Sequence, residues 1–343
     1  MAFRFWRRIR LLPGVTLNLS KSTASLSFGP RGAKYTVSPR GNRATAGIPG
    51  TGLFYTVHDP GGDKRSPPPE PRADDPLDLG FFRRLFVAEP EEDFVDGLKA
   101  VRAGERDAAL AHFDDDDAHA DSVWMAAMLR LERQEFRAAA AGLEDALGRV
   151  GALGTLFSKY GIDPTVSLPV SDEITAHVGP RPRGTWLALA EVRQQLGETR
   201  GARAALEQAL GDAPDDIVAI AALAELLLDA DEVSKTAADR VVRLTAGVDN
   251  DTPVHAAALL YKARALRALG MDDAAVKTFT RAYRKRKDRP EELRRQIRYE
   301  RALAYAAIGR RSRSRRELEG IYADDPDFED VSERLGLADD DAG

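Results

Sequence analysis

The sequence predicts a mostly α-helical chain: an α-solenoid of stacked helix pairs behind a small N-terminal β-meander module. Three observations carry that reading. A register of turn glycine, small residue and large apolar residue recurs along the chain, as in Gly197, Ala202 and Leu206 and again in Gly270, Ala275 and Phe279. Residues 1–58 lack this register and are instead punctuated by Pro-Gly turns. The charge also divides at the same place: residues 1–58 hold nine basic and no acidic side chains, and the rest holds the remaining 41 basic and all 55 acidic ones, a net of −14. Such asymmetry speaks about partners rather than fold.

In the basic segment, Pro30-Arg31-Gly32 recurs as Pro39-Arg40-Gly41, and Pro49-Gly50 nearly continues the spacing. Extended stretches are predicted between these turns at Val15–Leu19, Ala24–Phe28, Ala33–Val37, Arg43–Ala46 and Leu53–Val57. Leu17/Leu19 and Leu26/Phe28 alternate with polar residues, as in a sheet with one buried face. A meander of this size is marginal alone and is expected to pack on something else. In order along the chain come Phe3-Arg4-Phe5, Pro13-Gly14-Val15, Asn18-Leu19-Ser20-Lys21-Ser22, Gly29-Pro30-Arg31-Gly32 and Gly47-Ile48-Pro49-Gly50-Thr51-Gly52-Leu53. With these motifs residues 1–58 resemble the bacterial family catalogued as domain of unknown function 4236. Trp6-Arg7-Arg8 departs from that family's usual basic-Ser pair. The resemblance implies a shared β-rich module and brings no catalytic residues.

Residues 59–80, from Asp59-Pro60-Gly61-Gly62 through Pro67-Pro68-Pro69 to Asp74-Asp75-Pro76, read as a flexible, locally polyproline-like linker. The helical region is placed at 81–333 and an acidic tail at 334–343. Within it, Trp186-x2-Leu189-Ala190, Gly197, Ala202, Leu206, Ala209 and Pro214 follow the order of the tetratricopeptide (TPR) unit of about 34 residues. The register repeats over 256–289 (Gly270, Ala275, Phe279, Ala282) and 295–328 (Gly309, Ser314, Leu318, Ile321, Pro326). Upstream, Phe136, Ala139, Leu143 and Ala146 mark 120–153, with Gln134 where the turn glycine would sit, and Gly97, Gly104, Ala109 and Phe113 mark 90–119. Residues 217–250 (Ile220, Leu223, Ala224, Leu227, Ala237, Val241) follow with a slipped register. The chain thus resembles TPR proteins over most of 90–330; Arg193 for an aromatic, Ala190 for glycine and Lys287 for proline are departures. An irregular α-solenoid of the same helix pairs is the alternative.

A TPR-like solenoid implies a groove that binds polypeptides rather than performing chemistry. The expected function is therefore a non-enzymatic interaction scaffold with a peptide or protein partner. The groove residues expected from the register are Trp124, Met128, Glu191, Gln195, Glu225, Tyr261, Arg264 and Tyr299, with Phe94 also inward. Glu191, Glu225 and Asp229 would repel a C-terminal carboxylate, whereas Trp124 and Met128 offer apolar anchors. The alternative is an adaptor for an anionic surface, membrane lipid or nucleic acid, docking through Arg4, Arg7, Arg8, Arg10, Lys21, Arg31, Lys34, Arg40 and Arg43. Phe3, Phe5 and Trp6 would then anchor at the interface or fill the sheet's core.

Other constellations are weaker. No cysteine is present, which excludes disulfides, thiolate zinc sites and thiol nucleophiles. Asp114–Asp117 beside His112 and His119 lacks the alternation and glycine of a calcium loop, so no metal or cofactor is expected. His58, His177 and His255 are scattered, and Gly151, Gly154 and Gly161 lack the lysine of a phosphate loop, so no catalytic residue is assigned. Ser167–Arg183, broken by Pro169, Pro180 and Pro182, reads as an inserted loop, either a connector or a partner-contacting lip. Arg281–Arg316 holds fifteen basic against four acidic residues, and residues 89–121 hold twelve acidic against three basic. These are solvated faces, a site for an anionic partner, or complementary ends for self-association. No apolar run reaches the roughly 18–20 residues of a membrane span, and Met1–Val15 lacks the apolar stretch of a secretory signal. The expected location is cytoplasmic, with a peripheral membrane position under the alternative.

Overall fold

The computed structural model describes residues 88–337 except 116, 161, 163, 170–174, 231 and 286–288, together with five backbone strands within residues 17–59. They fall into two compact units, within residues 9–216 and within residues 217–343. The described residues are mostly helical, and most of the helices follow one another as pairs. The first unit carries α1 (Glu89–Ala103), α2 (Arg106–Phe113), α3 (Ala120–Glu132), α4 (Phe136–Gly148), α5 (Thr155–Lys159), α6 (Pro182–Gln195) and α7 (Thr199–Asp212). The second carries α8 (Ile217–Leu228), α9 (Lys235–Leu244), α10 (Pro253–Ala268), α11 (Asp272–Tyr283), α12 (Glu291–Ala307), α13 (Arg311–Asp324) and α14 (Val331–Leu335).

One turn is used five times to fold a helix back on its predecessor. Gly104, Gln134, Gly197, Gly270 and Gly309 all adopt positive φ, from 63° to 84°. The next residue's N–H then reaches back to the preceding helix: Glu105 to Ala100 O, Glu135 to Arg130 O, Glu198 to Arg193 O, Met271 to Leu266 O and Arg310 to Tyr305 O, at 2.8–2.9 Å. This left-handed C-cap satisfies carbonyls that a helix end would otherwise leave unpaired. At one fixed spacing after each turn lies a buried small residue, Ala109, Ala139, Ala202, Ala275 or Ser314. At a second fixed spacing lies a buried large one, Phe113, Leu143, Leu206, Phe279 or Leu318. The small residues let the two helices of a pair approach closely, and the large ones fill the seam; each such burial is worth about 1.5–3 kcal/mol.

The α8–α9 pair departs from this turn. Ser234 caps α9 by accepting from the Ala237 N–H at 3.1 Å, and the buried small position falls on Ala238 rather than the expected Ala237. The slip follows from the cap, because a serine N-cap starts the second helix without the left-handed residue that sets the phase elsewhere. The final pair is closed by α14, whose Val331 and Leu335 join Tyr299, Leu318, Ile321 and Phe328 in one buried cluster.

The first unit also holds a sheet. Its strands are β1 (Leu17–Leu19), β2 (Leu26–Phe28), β3 (Ala33–Ser38), β4 (Gly41–Gly47), β5 (Leu53–Asp59), β6 (Pro164–Pro169) and β7 (Thr175–Val178). All neighbours are antiparallel, in the order β1-β6-β7-β5-β4-β3-β2. The loop expected over Ser167–Arg183 is thereby corrected: much of it is strand, with Leu17 opposite Val166 and Leu53 opposite Ala176. Pro169 is compatible with the extended backbone of β6 and Pro182 with the first turn of α6, where its missing N–H has no partner to lose, and strand pairing satisfies N–H and C=O groups that a loop would leave to solvent.

Candidate partner-binding surface

The groove residues expected from the TPR resemblance all lie on the first helices of the pairs. Of the eight expected groove residues, Trp124, Met128, Glu191, Glu225, Tyr261 and Tyr299 are buried, and Gln195 and Arg264 stay partly exposed. In the first unit, Gln195 donates to Glu191 Oε1 at 2.6 Å, one turn back along α6. Arg193, standing where the repeat usually has an aromatic, donates to Glu144 of α4 at 2.5 Å and to the Gly201 carbonyl of α7 at 3.1 Å. It therefore links neighbouring pairs by charge and hydrogen bonds where a ring would do so by packing.

Trp124 and Phe94 sit on α3 and α1, and their shared face is already covered by the chain itself. Phe157 of α5 packs edge-on to both, at centroid distances of 6.1 Å from Trp124 and 5.0 Å from Phe94. The open apolar anchor expected at Trp124 is thus taken in cis. One turn before each ring stands an acid, Asp121 on α3 and Glu91 on α1. Asp121, fully buried, accepts the N–H groups of Gly154, of Leu156 at 2.8 Å and of Phe157 at 3.2 Å. Burial pushes its carboxyl above the ordinary range, against the pull of these N–H bonds and of His119. Glu91 accepts from Lys159 Nζ and Tyr160 Oη, each at 2.5 Å. Burial opposes its charge, but the Lys159 and Tyr160 bonds outweigh it and hold Glu91 below the usual value.

Asp121, Glu91 and Phe157 were not among the sequence-expected site residues. A local signal for the acids existed, since each precedes a ring by one helical turn and so shares its face. Phe157 had only a short apolar pair, Leu156-Phe157, between a glycine and a lysine.

In the second unit two of the first helices, α10 and α12, carry charged groups that pair with one another. Arg264 and Arg267 of α10 grip Glu300 of α12 at 2.8 and 2.7 Å, and Arg264 also lies over the Tyr261 ring at 5.8 Å. Tyr299 donates to Asp330 at 2.6 Å and stacks edge-on to Phe328, so α14 and its approach cover it. The basic stretch Arg281–Arg316 is partly neutralised by acids that lie outside it in sequence. Arg281 pairs with Asp249, Lys285 with Asp251, Arg295 with Asp325, Arg298 with Glu317 and Asp324, and Arg301 with Glu317. The two exposed pairs, Arg281–Asp249 and Lys285–Asp251, are worth only about 0–1 kcal/mol each, but together with the partly buried pairs they cancel much of the field a run of arginines would project. In the acidic stretch Asp93 pairs with His112, Asp107 with Arg133 and Asp114 with Arg130. Among the described residues no group of three or more His, Cys, Asp or Glu is placed to hold a metal ion.

Of the nine basic residues expected to form an anionic-surface patch, Lys34 and Arg43 lie on β3 and β4. Arg4, Arg7, Arg8, Arg10, Lys21, Arg31 and Arg40 lie outside the described residues, as do residues 60–80 of the linker, whose first residue, Asp59, instead ends β5. No helix among the described residues is long and apolar enough to cross a membrane.

No curated protein matches the chain. Among solved structures, the chain is similar to YrrB, a TPR protein with an unusual peptide-binding site, at 17% identity and TM-score 0.45, covering 70% of this chain and 98% of that one. It is also similar to TTC0263, a thermophilic TPR protein of Thermus thermophilus, at 15% identity and TM-score 0.37, covering 72% and 97%. The N-terminal domain of the EccA1 ATPase from the ESX-1 secretion system of Mycobacterium tuberculosis is similar at 18% identity and TM-score 0.42, covering 72% and 88%. Ahead of the helix pairs, residues 3–56 match the family described as protein of unknown function (DUF4236).

Proposed function

We propose that this chain is a non-enzymatic, cytoplasmic scaffold whose first-helix faces bind a peptide or protein partner. One observation carries the reading: the face of α1 and α3 already holds a stretch of polypeptide, through side chains of Glu91 and Asp121 and an aromatic contact to Phe157. Helix-pair repeats are suited to this because their first helices present side chains side by side, over a length no single helix offers. In this reading the chain is divided into a basic β-meander module over 1–58, a linker over 59–80, the repeats over 81–333 and a tail over 334–343, with Asp59 still part of β5 and Arg334 and Leu335 still part of α14. The pairing of β1 with β6 and of β5 with β7 favours a module docked on the repeats over one swinging on its tether.

The test is photo-crosslinking of the full chain in a lysate of its source cells. A crosslinker at Gln195 or Arg264, partly exposed on first helices, should capture a discrete partner. The same group at Arg200 or Lys277, exposed on second helices, should not. Equal labelling from both helix sets, or none from either, would count against the scaffold reading.

A second reading rests on the charge of residues 1–58, nine basic and no acidic side chains. In it the N-terminal module docks on an anionic surface, lipid or nucleic acid, at the membrane periphery. Near an anionic membrane each Lys or Arg contributes about 1 kcal/mol.

A further inference from the structure

The seat of α5 has the composition of a peptide site. Three of its polar contacts run from a side chain of the repeats to the main chain of residues 154–157, since Asp121 accepts the N–H groups of Gly154, Leu156 and Phe157. Main-chain recognition of that kind accepts many side chains. Selectivity is left to one aromatic socket, between Phe94 and Trp124, and to one acid, Glu91.

The occupant does not hold itself. A helix of five residues is far below the roughly 12–15 at which an isolated helix becomes even marginal. It starts at Gly154, in the left-handed region at φ 86°, and Thr155, Ser158 and Lys159 face solvent. Its order therefore derives from the recess, as a bound peptide's would.

We propose that the recess on α1 and α3 is a peptide-binding site closed in cis by residues 154–160. Its partner is a peptide with an aromatic residue followed within one helical turn by a cation, which displaces α5. This rests on the scaffold reading above and names the partner chemistry of one of its faces. An occupant on the same chain competes at an effective concentration in the millimolar range. The apparent affinity for a peptide in trans is the intrinsic affinity multiplied by the fraction of recess left open. Release of α5 is then a switch: the site is silent until a stronger peptide or a modification of the insert opens it.

The experiment uses the full chain and a fluorescent synthetic peptide spanning residues 151–162, read by anisotropy against a scrambled control. The wild type should bind weakly. Phe157→Ala, emptying the socket, should bind about tenfold tighter or better, and adding Glu91→Gln should reverse much of that gain. If Phe157→Ala does not fold, Lys159→Glu is the second variant, since it breaks the Glu91 pair at an exposed side chain without a cavity, and the same gain is expected. Binding no better than the scrambled peptide in a folded variant overturns the proposal. Hydrogen exchange on the wild type adds an independent reading: the Leu156 and Phe157 amides should exchange by local opening well before those of α3. If they exchange only with global unfolding, α5 is core and the proposal fails. Should the peptide fail while crosslinking from Gln195 and Arg264 persists, only the cis-occupancy inference falls and the scaffold reading stands.

Discussion

Gly97 of α1 lies directly beneath the ring of Phe113 of α2: a Cβ added there would stand 2.4 Å from Phe113 Cε1. The first helix pair therefore closes at a distance only glycine permits. Alanine gains about 1 kcal/mol of helix propensity over glycine, but overpacking a filled seam costs about 1–3 kcal/mol. Gly97→Ala should lower the urea unfolding midpoint, and Phe113→Leu in the same chain should recover part of the loss. A raised midpoint for Gly97→Ala alone would contradict this packing.

Gln134 holds φ 63° at the position where the other four equivalent turns have glycine. A side chain in the left-handed region costs about 1–2 kcal/mol, and glycine there gives back about 0.5–1 kcal/mol in lost backbone freedom. Gln134→Gly should thus stabilise the first unit by several tenths to about 1 kcal/mol, measured by denaturant titration. Destabilisation would mean that the Gln134 side chain supplies more than its backbone strain removes.

Leu206 and Phe279 are fully buried at equivalent positions of two repeats. Leu206→Ala and Phe279→Ala should each cost about 2–5 kcal/mol through the cavity left between helices. Met271→Ala, at 52% exposure one residue past a turn, should change stability by no more than about 0.5 kcal/mol. Similar small effects for all three would show that the repeat seam is not where the stability resides.

Tyr299 donates to Asp330, and Arg334 donates to the same carboxylate oxygen at 2.7 Å. Burial, then the bond to Asp330, pushes the phenol up to about 12. Its folded value lies above the unfolded value of about 10. The stability it contributes is therefore fully present below about pH 10 and is lost as pH rises toward 12. Asp330 works in the other direction: burial opposes its charge, but Arg334 and Tyr299 hold it below the ordinary range. Its contribution is present above the unfolded carboxylate value and is lost as pH falls through the folded one. Tyr299→Phe should remove the alkaline loss, seen as a flatter stability curve between about pH 10 and 12. An unchanged curve would place the alkaline transition elsewhere.

The anionic-surface reading makes its own prediction. Residues 1–60 and the full chain are compared by co-sedimentation with phosphatidylserine vesicles at rising salt. Both should bind at low salt and release as the Debye length shrinks below about 8–10 Å. If neither binds at low salt, the nine positive charges act within the chain and the docked module is the better account.

The helix-pair register was legible because its determinants are local. A left-handed turn residue, a small residue and a large one at fixed spacing dictate how one helix folds on the next, and Gln134 shows that the phase outweighs the residue type. The slip at Ala238 was only half legible: the irregularity could be read from the sequence, but the serine cap that causes it could not be assigned without the backbone. Burial of the expected groove residues was not legible either. An inward position on a first helix looks the same in sequence whether it faces a partner or a neighbouring helix.

What the sequence alone determined, then, is the succession of helix pairs with their turn positions and the charge division between residues 1–58 and the rest. Each of these depends on residues within a turn or two of one another, or on composition. The seat of Phe157 against Phe94 and Trp124, the capture of three backbone N–H groups by Asp121, and the place of β6 and β7 between β1 and β5 were decided only by tertiary structure. These contacts join segments tens of residues or more apart, where no period marks the chain. They depend on which buried polar group finds which backbone donor, a choice set by the packed surfaces themselves.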